Sequence, residues 1–176
     1  MNDHALTLVV TGAPLARQTN AVATALRAAG WDVDLTLSSA SAAWVTPTDL
    51  AESGFGLRQH GGGRPRPRVV VACPLTFNSA NKLALGVSDE PHLGVLNDAL
   101  GSGATIVAVP FVSDRLWGHP QWKISLERLR AAGLTLLDPY GGAELQPVRS
   151  GTGDEVAANF DPAWLVGRLQ ELLPEP

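Results

Sequence analysis

The chain has 176 residues, 45% of them hydrophobic and 17% charged, with a formal net charge of -4 from 13 Lys+Arg against 17 Asp+Glu. One domain of that size buries roughly 70% of its unfolded surface, and the acidic balance argues against the basic face of a nucleic-acid binder. No apolar run reaches the ~18 residues of a membrane span, no charged-then-apolar secretion signal opens the chain, and a single cysteine excludes an internal disulfide framework and a cysteine-based metal site. The expectation is a soluble, cytoplasmic, single-domain protein over residues 1–176, with no nucleic-acid or membrane partner and no metal.

In chain order, Ala5 to Thr11 is an apolar, β-branched run and predicts a first buried strand. Gly12-Ala13-Pro14 ends it, and Leu15 to Ala29 carries apolar residues near helical spacing, stopped by Gly30. This is the opening half of a βαβ unit, with the small-residue turn at the edge where open α/β sheets bind ligands. The turn lacks the spaced glycines of a dinucleotide fingerprint. Trp31 to Leu37 predicts the second strand; Ser38, Ser39 and Ser41 after it suit either helix capping or a phosphate. Thr46 to Leu50 looks like a helix start. Residues 54–68, with Gly61-Gly62-Gly63 followed by Arg64-Pro65-Arg66-Pro67-Arg68, predict a flexible loop that His60 opens.

Arg68 to Cys73 predicts a third buried strand, broken by Pro74. The following Thr76-Phe77-Asn78-Ser79 cluster then sits on a strand-to-helix turn, because the Ala/Leu-rich segment behind it is helical. Such a turn offers hydroxyls, an amide and free backbone N–H groups at the ligand edge. Asn78 is a functional candidate, since a buried amide there requires partners. Cys73, at a buried strand end, is a core residue. Glu90-Pro91 starts a helix running to Leu100, Ala104 to Pro110 is another buried strand, and residues 111–119 form a loop. A helix from Pro120 to Ala132 is expected, with Ile124, Leu126 and Leu129 inward, Lys123, Glu127, Arg128 and Arg130 outward, and His119 at its start. Trp117 and Trp122 are read as interface or surface packing. Leu134 to Leu137 is a further strand, residues 140–159 are Gly-rich and irregular, in the manner of a lid, and Phe160 to Leu173 is a terminal amphipathic helix. Alternating strands and helices predict an α/β, doubly wound, mainly parallel sheet: a Rossmann- or flavodoxin-like three-layer sandwich.

Pro74-Leu75-Thr76-Phe77-Asn78-Ser79, with Lys82, Ala84, Gly86 and Asp89 in register behind it, resembles a motif of the homo-oligomeric flavin-containing cysteine decarboxylases. That family includes phosphopantothenoylcysteine decarboxylases and lantibiotic-type peptidyl-cysteine decarboxylases. Pro110-Phe111-Val112-Ser113, then Leu116-Trp117, is similar to a second motif, and His60 stands fourteen residues before Pro74, the family's spacing for a catalytic histidine. The resemblance covers roughly residues 5–138. It implies FMN held between subunits of a homotrimer or trimer-based dodecamer. It also implies oxidative decarboxylation of a cysteine-containing peptide or small molecule, most naturally a peptide C-terminal cysteine giving an enethiol. The residues implicated in the cofactor site are Gly12, Ala13, Ser38, Thr76, Phe77, Asn78, Ser79 and Val109, with His60, Asn78 and Ser113 for catalysis. Ser113 stands where the family has asparagine, His60 is followed by glycines, and no cysteine lies in 140–159. The alternative is an FMN-binding regulatory or interaction flavoprotein without decarboxylase activity; a flavin-modifying prenyltransferase relative is a third and weaker reading.

Overall fold

Alternation along the strands dictates the layering. The structure is a computed structural model and describes residues 4–45, 50 and 67–173. Its strands are β1 (Ala5–Val10), β2 (Asp32–Leu37), β3 (Val69–Leu75), β4 (Thr105–Pro110) and the short β5 (Thr135–Leu136). All pair in parallel, in the order β2-β1-β3-β4-β5. Leu6, Leu8 and Val10 of β1, Val69, Val71 and Cys73 of β3, and Val107 and Val109 of β4 point into one core. Their neighbours Val9, Val70, Ala72, Ile106 and Ala108 point into the other. Successive side chains leave a strand on opposite faces, so a sheet apolar at every position must be covered twice.

Numbered over the described residues, the helices supply both covers. On the first face lie α1 (Thr19–Ala28), α6 (Gly153–Ala158) and α7 (Pro162–Leu172), through Val22, Ala23, Leu26, Val156, Ala157, Leu165 and Leu169. On the second lie α2 (Phe77–Ala84), α3 (Pro91–Ser102) and α5 (Pro120–Ala131), through Ala80, Leu83, Leu93, Leu96, Ala99, Trp122, Leu126 and Leu129. A one-turn helix α4 (Asp114–Trp117) interrupts the expected 111–119 loop. Each fully buried leucine contributes roughly 1.5–3 kcal/mol of transfer free energy, which is why the amphipathic spacing decides which face each helix presents. The three-layer, doubly wound α/β sandwich expected from the sequence is the observed fold.

Several local expectations are corrected. Pro74 does not end the third strand: β3 continues to Leu75 through a cis Cys73–Pro74 bond, and its pairing with β4 shifts register between Ala72 and Leu75. A proline is tolerated at such an irregularity because no ladder donor is needed there. The segment after Ala13 opens as a 3-10 turn (Pro14–Gln18) before α1, and Ser39–Ala43 forms a second 3-10 turn. On α5 the buried side chains are Trp122, Ser125, Leu126 and Leu129, while Ile124 is 44% exposed. Spacings of three and four share a helix face and a spacing of two does not, so Trp122 replaces Ile124 as the anchor. It lies 1% exposed, with its ring centroid 5.7 Å from Phe77 and 5.5 Å from Trp117. His119 caps α5 as expected, its Nδ1 accepting from Gln121 N–H at 3.1 Å.

The span 140–159 is more ordered than its glycine content suggests. Asp138, 2% exposed, accepts from the backbone N–H groups of Tyr140 (3.1 Å), Gly142 (3.0 Å) and Gln146 (2.9 Å), and α6 follows. Three donors onto one buried carboxylate satisfy a loop that has no ladder of its own. Most of the 54–68 loop, with His60, and the Thr46 helix start lie outside the described residues.

Candidate functional site

In a sheet ordered 2-1-3-4-5, the chain departs in opposite directions from β1 and β3, and the loops leaving their carboxyl ends diverge. A crevice opens at that point by topology alone. Here it is a cleft of about 570 Å³, inside the ~300–1,000 Å³ range of small-molecule and cofactor sites. Gly12, Ala13 and Pro14 line it from the β1 side, Ser38 and Ala40 from β2, and Thr76, Phe77, Asn78 and Ser79 from β3. Phe111, Val112 and Ser113 enter from β4, and Val148 to Gly151 with Gly153 and Asp154 from the long loop and the start of α6.

The β1 and β3 edges are tied together. Thr11, 1% exposed, donates from Oγ1 to Pro74 O at 2.8 Å and accepts there from Thr76 N–H at 2.9 Å. Thr76 then caps α2, its Oγ1 accepting from Ser79 N–H at 3.4 Å and its hydroxyl donating to Ser79 Oγ at 3.2 Å. Gly12 is required by close approach: a Cβ there would lie 2.6 Å from Ala40 O and 2.7 Å from Ala40 C. Ser38 sits over that contact with its backbone fully engaged, N–H to Val10 O at 2.9 Å and O accepting Ser41 N–H at 3.1 Å. Its Oγ is buried with no hydrogen-bond partner. A buried hydroxyl without a partner costs on the order of 1–3 kcal/mol, so one facing a cleft implies that something polar belongs beside it.

The far wall is held by an ion pair and loop contacts. Ser113 pairs in a parallel bridge with Val148, Asp114 N–H donates to Val148 O at 3.0 Å, and the Ser150 hydroxyl and N–H both donate to Asp114 Oδ1. The Ser150 hydroxyl holds the Asp114 carboxyl below the ordinary carboxylate value. Arg17 lies 4.9 Å over the Trp44 ring and pairs with Asp154 at 2.7 Å. Glu90 and His92 line the same cleft beside the β3 residues: Ser79 Oγ meets His92 Nε2 at 3.0 Å, and Glu90 Oε2 accepts from Ser39 Oγ at 2.8 Å and Ser39 N–H at 3.1 Å. Those Ser39 hydrogen bonds lower the Glu90 pKa, and burial lowers that of His92 against the opposing pull of Glu90.

Of the candidate residues, Gly12, Ala13, Ser38, Thr76, Phe77, Asn78, Ser79 and Ser113 meet around this one cleft; Asn78 is exposed there rather than the buried amide expected, because it projects outward from the first turn of α2. Val109 does not reach it: its side chain is fully buried in the core, because β4 alternation turns it under the sheet. His60 lies outside the described residues. Sequence reading missed Glu90 and His92. Glu90-Pro91 was legible only as a helix start, and nothing local shows that α3 begins against Ser39 and Ser79. Among the described residues no cluster of three metal-ligating side chains occurs, and no helix is long and apolar enough to cross a membrane.

The fold and this switch-point cleft define a doubly wound α/β protein with a ligand site at the carboxyl edge of its sheet. The chain belongs to the Flavoprotein family, whose model matches residues 1–160. Over 71 residues it is 30% identical to the Coenzyme A biosynthesis bifunctional protein CoaBC of Thermococcus kodakarensis; that match spans 40% of this chain and 17% of that protein. Among solved structures, a PPC decarboxylase mutant complexed with pantothenoylaminoethenethiol superposes with a TM-score of 0.76 at 17% identity, covering 97% of this chain and 98% of that one. The FMN-dependent cysteine decarboxylase SpaF superposes with a TM-score of 0.67 at 20% identity, covering 93% and 97%. At such identities these structures establish the shared fold.

The lining fits a flavin cofactor in kind: the buried Ser38 hydroxyl lacks a partner and the Thr76 and Ser79 hydroxyls lie on the same cleft.

Proposed function

We propose that this protein is an FMN-dependent oxidative decarboxylase acting on a cysteine-containing substrate, with a peptide C-terminal cysteine as the preferred form. The observation that carries the reading is the pairing, across one switch-point cleft, of a phosphate-type end at Gly12 and Ser38 with a hydroxyl and amide end at Thr76, Asn78 and Ser79. The family membership and the two decarboxylase neighbours support it.

FMN, when bound, supplies two-electron oxidation of the substrate's cysteine side chain, which makes carboxylate loss easy. The chain's own residues bind and orient. Ser38 would donate to the phosphate, Thr76 and Ser79 would hold the ring edge through hydroxyls already fixed by the α2 cap, and Asn78 would add an amide from the first turn of α2. Ser113 faces the same cleft and offers a hydroxyl to the substrate carboxylate. His60, by its place in the sequence, is the residue assigned to remove the thiol proton, a task suited to an imidazole near neutral pH. The reading includes self-association as a homotrimer or trimer-based dodecamer; the exposed Leu85, Leu116 and Ile124 favour burial against another copy.

Purified FMN-loaded protein incubated with peptides ending in cysteine tests the reading. The expected product is lighter by about 46 Da, CO2 plus two hydrogens. Unchanged masses across a panel of such peptides, with FMN bound, overturn the decarboxylase and leave a flavin-binding protein without that activity.

A further inference from the structure

Beside the hydroxyl pair on the β3 wall, lining the same cleft, stands a group that the proposed chemistry does not use. His92 lies one residue inside α3, 1% exposed, with Nε2 3.0 Å from Ser79 Oγ. Its Nδ1 is buried without a hydrogen-bond partner, 3.6 Å from Glu90 Oε2. Glu90 is itself clamped by Ser39, so its carboxylate is fixed in place. Ser79, His92 and Glu90, all lining the cleft, therefore form a chain of hydroxyl, imidazole and carboxylate. A buried histidine with an open nitrogen, aimed at a cleft hydroxyl and backed by a fixed anion, is a poor choice for packing alone, since a leucine would fill the site without the desolvation cost.

Hydrogen-bond counting gives the group a role. With His92 neutral and its proton on Nδ1, toward Glu90, Nε2 accepts from the Ser79 hydroxyl. Ser79 Oγ in turn accepts from Thr76, so both hydroxyl protons are committed and the cleft meets only lone pairs. With His92 protonated, Nε2 becomes a donor to Ser79 Oγ. The Ser79 proton is released to turn toward the cleft, and the wall presents a donor instead. One proton on His92 thus reverses the polarity of the wall.

We propose that His92 is a positioning residue that takes up a proton when negative charge forms in the cleft, switching the Ser79–Thr76 wall from hydrogen-bond acceptor to donor. This rests on the flavin reading above. A flavin ring suits both states. Oxidised, it would offer an N–H donor to an acceptor wall. Reduced by two electrons with one proton, it would carry one negative charge, which a donor wall and an adjacent imidazolium would stabilise. Two electrons and two protons are then taken up in all, one proton on the ring and one on His92. The ionisable groups acting on His92 are Glu90 of its own helix start, Asp89 of the preceding loop and Lys82 of α2. Lys82 and Asp89 pair at 2.7 Å and largely offset each other, which leaves Glu90 as the anion that favours the imidazolium. Burial opposes it and keeps His92 neutral before reduction.

The test is the pH dependence of the midpoint potential of bound FMN, titrated with dithionite in the whole protein, for wild type, His92→Gln and His92→Leu. His92→Gln keeps a neutral hydrogen-bonding side chain, and restores FMN affinity relative to His92→Leu. Wild type shows one more proton per two electrons than either variant over at least one pH unit, a tenfold change in the reduction equilibrium per pH unit. Identical pH slopes in wild type and His92→Gln overturn the inference while leaving FMN binding intact. Failure of wild type to bind FMN overturns the flavin reading as well, so the two failures are told apart.

Discussion

Replacing Ser38 by alanine separates a ligand-binding residue from a structural one by the sign of its effect on stability. Ser38 is 6% exposed and its Oγ has no partner, whereas its backbone N–H and carbonyl are both engaged with Val10 and Ser41. The substitution removes only the orphan hydroxyl and leaves the turn in place. A partnerless buried hydroxyl costs on the order of 1–3 kcal/mol; allowing for the small gap that its loss leaves, the gain for the ligand-free protein is about 1 kcal/mol. In a chain of this size that raises Tm by roughly 2–4 °C. FMN affinity moves the other way, because a hydrogen bond to a charged phosphate oxygen, worth about 1.5–3 kcal/mol, is lost. The expected Kd increase is tenfold or more. Calorimetry of the ligand-free proteins and fluorescence titration with FMN read the two effects. Ser38→Ala protein that is less stable than wild type, or that binds FMN equally well, refutes the assignment of this hydroxyl to a ligand.

Three further outcomes follow from the same geometry. Thr11→Val strips the partner from the part-buried Thr76 N–H and weakens those of Pro74 O, so it destabilises the protein by about 1–2 kcal/mol and loosens FMN binding; denaturant unfolding and FMN titration measure both. Cys73, whose thiol burial pushes up to about 12, stays unlabelled by a thiol reagent in native protein at pH 8 and labels at once in denaturant. Asp114→Ala removes the acceptor of both Ser150 donors and loosens the loop at Ser150, read as faster hydrogen exchange there. Since the Asp114 pKa lies below its ordinary 3.8, the tether is intact above that pH and weakens as pH falls through the lowered value.

How far the sequence carried the structure depends on how local each determinant is. The strands were legible because runs such as Val69-Val70-Val71-Ala72 are apolar at every position, which only a doubly covered sheet explains. The turn after β3 was legible from Thr76, Asn78 and Ser79, whose side chains serve a helix start or a ligand and little else. What failed was non-local or misjudged by type. Pro74 reads as a breaker, but the pairing irregularity beside Leu75 accommodates it. Val109 lies one step from Pro110 and the cleft, yet strand alternation sends it into the core. The irregular look of 140–159 hides the single buried carboxylate of Asp138, which organises the loop from outside it. His92 and Ser79 meet across thirteen residues and a loop, and Gly12 meets Ala40 across two elements. No periodicity announces either contact.

The central claim is that the β1/β3 cleft holds a flavin nucleotide, and the absorption spectrum of purified protein titrated with FMN tests it most directly. The account predicts bands near ~375 and ~450 nm that stay with the protein through gel filtration at one FMN per chain, and are lost from a Gly12→Val, Ser38→Ala double variant. A colourless protein that leaves added FMN in the low-molecular-weight fractions contradicts it.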